Sequence, residues 1–133
     1  MLTNPTAGRG RGLRHREAAL ARLRAEAMNA GSPEMLARTT VDGSPAARTD
    51  RALLRRLDRT GTRYSGVAFT VDASRAIRGP AGGRATVTAV VATAAHARLG
   101  ADGTREAVRA EPGRRLTFEL RFDDGAWRIS AIR

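Results

Sequence analysis

Side chains able to do acid–base, nucleophilic or metal chemistry are few in this sequence and far apart. There is no Cys, which removes thiol catalysis, a disulfide framework and Cys-ligated zinc. The two His residues, His15 and His96, fall in a basic helix start and in a strand, and their spacing is not that of metal ligands. Tyr64 is the only Tyr. It stands at a strand start beside Gly66, a position that suits a half-buried structural ring. By strand parity His96 shares a face with Thr86, Thr88, Val90 and Arg98, and neither face of that strand is distinctly polar. Asp72 alternates with Val67, Phe69 and Val71 and is directed to solvent. Asp123 and Asp124 belong to a turn. Ser32 and Ser44 each precede a Pro and read as helix caps, and no G-x-S-x-G elbow occurs. "GPAGGRAT" lacks the Lys and the spacing of a phosphate loop. These residues form no catalytic set, no metal site and no cofactor site, so the sequence leans away from an enzyme.

The formal charge is +11, and all 24 basic residues other than His are Arg. Such a value suggests nucleic acid, but its distribution argues against it. Residues 1–61 carry a net +6 and residues 62–133 a net +5, so no half concentrates the charge. Aromatics are only 4%, too few for a base-stacking platform. Nucleic acid is therefore disfavoured as a partner. No run of about 18 apolar residues occurs, and the start "MLTNPTAGRGRGLRHR" lacks the apolar centre of a signal peptide.

The surrounding elements are legible from periodicity and caps. "LRHREAALARLRAEAMNA" (13–30) is rich in helix formers, with Leu13, Leu20, Leu23 and Ala27 near one face and Gly31 as the stop. Ser32-Pro33 starts a short helix, and "ARTTV" (37–41) has the content of a short strand. Ser44-Pro45 starts a longer helix with Leu53, Leu54 and Leu57 as its buried stripe and Gly61 as its end. After Gly61 the period changes from 3.6 to 2. "YSGVAFTVDA" is a strand, "GPAGG" (79–83) a turn, and "RATVTAVVATAAHARLG" one long strand. A hairpin around "ADG" runs on to a turn at "EPG". In "RRLTFELRF", Leu116, Phe118, Leu120 and Phe122 alternate inward against Arg115, Thr117, Glu119 and Arg121. "DDG" then turns the chain into a last strand with Trp127 and Ile129 inward. The order predicts an α+β domain with N-terminal helices packed on a curved antiparallel sheet. Residues 1–12 are expected to be a flexible basic segment or linker, and 13–133 the domain.

Helices first, then long antiparallel strands closing in Asp124-Gly125-Ala126-Trp127-Arg128-Ile129, resemble the NTF2-like (cystatin-like) superfamily, a cone of sheet around a long helix. A nearer resemblance is to actinobacterial domains of membrane-anchored proteins. It is carried by Gly43-Ser44-Pro45, by Asp50-Arg51-Ala52-Leu53-Leu54, and by Gly61 through Gly66 with Tyr64 among them. The resemblance implies that Trp127 packs into the cone. It also implies a noncatalytic interaction or assembly domain, extracytoplasmic if the chain is a fragment of an anchored protein and cytoplasmic otherwise. A membrane would be met only through a segment outside this sequence. The alternative is a small-molecule binder or an isomerase- or cyclase-like enzyme using the cone. Its ligand would be small and apolar, and Tyr64, His96 and Trp127 would line the pocket if the cone is open. Self-association is the remaining expectation: a homodimer about the strand at 84–98, whose small side chains leave one surface without an evident cover.

Overall fold

A computed structural model describes residues 9–133. Three helices come first: α1 (Arg9–Ala30), α2 (Pro33–Ala37) and α3 (Pro45–Thr60). Seven strands follow: β1 (Arg63–Ser65), β2 (Phe69–Ala81), β3 (Arg84–Thr93), β4 (His96–Leu99), β5 (Arg105–Val108), β6 (Glu111–Asp123) and β7 (Ala126–Ile132). Of the basic segment expected at 1–12, residues 1–8 lie outside the described residues. Residues 9–12 belong to α1, so the helix begins before Leu13.

The caps act as the sequence indicates. Ser32 accepts from the Met35 N–H and Ser44 from the Ala47 N–H, each with Pro at the first helical turn. Gly61 closes α3 in the left-handed conformation, at φ +67°. A Cβ there would stand 2.7 Å from that of Ala101, so both the backbone and the space call for Gly. The expected stripe of α3 shifts. Leu53, Leu54 and Leu57 are only half-buried, and Ala46 and Asp50 are the buried residues. Ala46 joins the core, while Leu54 and Leu57 border hollows on the flank of the helix.

Two antiparallel sheets, β1-β4-β5 and β2-β3-β6-β7, make one curved wall. The long strand expected at 84–100 breaks at Ala94-Ala95, so β3 lies in the large sheet and β4 in the small one. Ala94 still donates to the Ala68 carbonyl across the break, at 2.9 Å. The chain passes between the same two sheets at 66–68 and at 109–110. Three breaks thus fall along one line, and the wall bends there. The expected turn at "EPG" is instead the first part of β6, and the turn expected at 79–83 narrows to Gly82-Gly83 because Gly79-Pro80-Ala81 continue β2. The short strand expected at 37–41 is a single parallel bridge from Thr40 to Ile129, which covers the free side of β7. Asp124 (φ 50°) and Gly125 (φ 81°) form the two-residue turn from β6 to β7, the positive-φ pair that tight hairpins favour.

The inner face carries Ala85, Val87 and Ala89 of β3, Phe118 and Leu120 of β6, and Trp127 and Ile129 of β7. These pack with Leu13, Leu20 and Ala46 in one core cluster. Trp127 is 6% exposed and meets the Phe122 ring edge-on at 5.6 Å between centroids. Phe122 itself is 39% exposed, because it lies at the hairpin end where no helix covers the wall. No helix among the described residues is long and apolar enough to cross a membrane.

Candidate functional site

The residues able to act fall into three places that the sequence does not connect. The first is a groove between α2 and α3, floored by the end of the sheet, with a volume of about 730 Å³. Leu36, Ala37 and Leu54 give it apolar walls, and its rim carries both signs of charge, Arg51, Arg55 and Arg128 with Asp42 and Asp58. Asp50 also borders it, but its carboxylate is held from behind by the Arg24 guanidinium in a two-pronged pair of 2.7 and 2.8 Å. Arg24 further donates to Thr39 at 3.2 Å. This ion pair ties α1 to the start of α3 and fixes the inner wall of the groove. Arg128 reaches in from β7, and its Nε is shut from solvent without a hydrogen-bond partner. Such a group is costly unless something meets it, so the groove suits an occupant with both apolar and acceptor groups.

The second place is inside the wall. Glu17 of α1 is 1% exposed. It stands four residues after Leu13 and three before Leu20, on the inner stripe of the helix. A bulge in β2 sets Ala73 and Ser74 against Ala89 alone, with Ala73 at φ 51°. Bulges re-aim side chains, and here the Ser74 hydroxyl donates to Glu17 Oε1 at 3.4 Å while Oε2 has no partner. Burial pushes the Glu17 carboxyl up to about 7, and the Ser74 hydrogen bond opposes this only in part. The helical spacing was the signal for this residue, since Glu17 interrupts the Leu13–Leu20–Ala27 face.

The third place is the small sheet. Tyr64 pairs with Arg98 across β1 and β4. The rings of Tyr64 and His96 meet edge-on at 5.7 Å, and Arg98 bonds Glu106 at 2.9 Å. Tyr64, His96 and Arg98 share the face opposite to the buried Ala97. Tyr64 and His96 are thus brought together, but Trp127 lies in the core of the other sheet. None of the three borders the 730 Å³ groove. His96 Nδ1 is 2.9 Å from the Ala94 carbonyl oxygen, a local bond at the bend. Asp72 is exposed and Asp124 is in the turn as expected, whereas Asp123 closes β6 as the partner of Ala126. Among the described residues no three His, Asp or Glu side chains gather as a metal would need.

No family model and no curated protein matches the chain in sequence. Solved structures do match in shape. The intermembrane space region of the chloroplast protein ARC6 superposes with a TM-score of 0.67 at 12% identity, covering 93% of this chain and 94% of that one. A putative aromatic ring hydroxylase from Novosphingobium aromaticivorans gives 0.59 at 16% identity, over 90% and 87%. A protein with a cystatin-like fold from Caulobacter vibrioides gives 0.50 at 21% identity, over 90% and 85%. Helices followed by a curved antiparallel wall, with matches of this extent, make the fold of this chain the cystatin-like α+β fold.

Proposed function

We propose that this chain is a noncatalytic NTF2-like interaction domain that takes a partner polypeptide in the groove between α2 and α3. One observation carries this reading. The inner face of the wall is filled by its own side chains with Leu13 and Leu20, whereas a hollow of about 730 Å³ lies outside it, between helices. A helix-flanked groove with apolar walls and an unpartnered Arg128 Nε suits a peptide segment that offers apolar side chains and carbonyl or carboxylate acceptors. The setting we propose is the extracytoplasmic part of a membrane-anchored protein. The likeness in shape to the ARC6 region, which lies in an intermembrane space, supports that setting.

The test is a photo-crosslinking amino acid placed at Leu54 in the protein in its own cells. A discrete adduct that disappears when Arg128→Ala is added supports the reading. If Leu54 yields no adduct while the same probe placed on the wall at Thr88 does, the groove is not the docking place.

One observation favours a second reading. A carboxyl near neutrality inside the wall is the kind of group that general acid–base catalysis uses. Glu17 would fill that role if the wall opened to a small apolar ligand. Quenching of Trp127 fluorescence by such a ligand, lost in Glu17→Gln, would transfer the function from the groove to the cone.

A further inference from the structure

The pairing register gathers arginines that the sequence scatters. Arg84 of β3 stands opposite Arg121 of β6, and Arg121 opposite Arg128 of β7. Directly opposed residues in a sheet have Cβ atoms about 5 Å apart, and like charges so placed repel. Arg75 and Arg78 of β2 pair with Thr88 and Thr86, and Arg115 pairs with Val90. All therefore project from the outer face, opposite to buried Ala85, Val87 and Ala89. On that face Glu119 is taken by Arg133. Asp72 and Asp123 are the remaining carboxylates there, and no ion pair joins either to these arginines among the described residues. A hollow of about 360 Å³ lies beside the row, lined by Arg84, Arg121 and the Arg133–Glu119 pair, with Asp42 and Ser44 on its far side.

The row sits at the end of the large sheet where the β2–β3 and β6–β7 hairpins turn. The Phe122 N–H donates to the Gly83 carbonyl at 2.8 Å, which binds the two tips together. Two large apolar side chains are exposed near that end, Ile77 at 53% from an irregularity in β2 and Phe122 at 39% from the inner face at the hairpin tip. Arginine suits phosphate, since its planar fork can give two hydrogen bonds at once. Apolar side chains beside such a patch have no use on the phosphates of a duplex, and no aromatic residue stands on the arginine face to stack a base. A second copy would set like charges against like. Next to an anionic bilayer, by contrast, arginines meet headgroup phosphates while Ile77 and Phe122 enter the boundary of the acyl chains.

We propose that this end of the large sheet is a docking surface for anionic phospholipid. It shares only Arg128 with the groove, and the variants that test it leave Arg128 in place, so its failure is distinguishable from failure of the groove reading. The experiment is sedimentation of the protein with vesicles of phosphatidylcholine alone or with about one-third phosphatidylglycerol, in 0.1 M NaCl, near physiological ionic strength. Binding is expected to the mixed vesicles only. Arg84→Glu with Arg121→Glu is expected to weaken it at least tenfold, and Ile77→Asp with Phe122→Ser severalfold. Arg16→Glu with Arg22→Glu, on the exposed side of α1, changes the net charge equally and is expected to alter binding less than twofold. Asp123→Asn with Asp124→Asn, at the turn beyond Phe122, is expected to strengthen it. A melt of each variant shows that it is folded. Equal losses from the α1 pair and the sheet pair would reduce the effect to net charge and overturn the proposal. So would binding to a DNA duplex, but not to vesicles, that depends on Arg84 and Arg121.

Discussion

Glu17 and Asp50 are carboxylates on inner faces of helices, and their opposite treatment shows how environment sets chemistry. Asp50 is met by Arg24 on two bonds, while Glu17 meets only the Ser74 hydroxyl. The Glu17 carboxyl is raised from 4.5 to about 7, so the folded protein holds this proton more tightly than the unfolded chain does. Its contribution to stability is complete below pH 4.5 and is lost as pH rises through 7, by roughly 3 kcal/mol in total. Denaturant unfolding of Glu17→Gln should therefore match wild type at pH 4 and exceed it at pH 8. A difference between the two that does not change with pH would show that the carboxyl is already ionised in the fold. For the paired acid the expectation is the reverse. Asp50→Ala leaves Arg24 buried without its partner and should cost about 3–5 kcal/mol. A loss under 1 kcal/mol would mean that water reaches the guanidinium.

Among the elements, the caps were the most legible features, because a cap is settled within a few residues. Ser44-Pro45 and Gly61 mark α3 in the sequence and bound it in the structure. Ser44→Ala should lower stability by about 1 kcal/mol. Gly61→Ala should cost roughly 1–2 kcal/mol from the left-handed backbone alone, and contact with Ala101 adds to it. Thermal melts rank the two, and an unchanged Gly61→Ala protein would show that the end of α3 relaxes freely. Trp127 was legible too: alternation after "DDG" placed it inward, and the core confirms that placement. Trp127→Ala should cost about 3–5 kcal/mol. The leucines of α3 misled for a physical reason. Helical spacing identifies a stripe, but which side of the stripe faces the sheet depends on the neighbour, and here Ala46 allows β7 to approach while Leu54 faces the groove. The unbroken strand expected at 84–100 misled likewise, since small residues suit both sheets and only pairing with β1 and β2 decides where the chain leaves one for the other.

At the scale of the molecule, an evenly spread charge becomes a polarised one. The two halves of the sequence carry +6 and +5, yet Arg84, Arg121 and Arg128 meet in one row. Repulsion within the row implies that stability rises with salt, because screening relieves it. Arg121→Glu should place an acid between two arginines and raise stability by about 0.5 kcal/mol at low ionic strength. Denaturant midpoints at 20 mM and 500 mM NaCl test this. A midpoint that falls with salt in wild type would show that attraction outweighs repulsion over the whole surface.

The sequence alone determined the element order, the capped ends of the helices, the change of period after Gly61 and the inward position of Trp127. Each depends on residues near one another in the chain, through backbone hydrogen bonds and side-chain alternation. Tertiary structure alone decided what those elements bring together: Glu17 with Ser74, Arg24 with Asp50, Tyr64 with His96, and the arginine row. These partners are far apart in sequence, and a shift of one residue in any strand would turn its side chains to the other face. The bulge at Ala73-Ser74 and the break at Ala94-Ala95 set those registers. They follow from the closing of the whole wall around α1, which no local run of residues specifies.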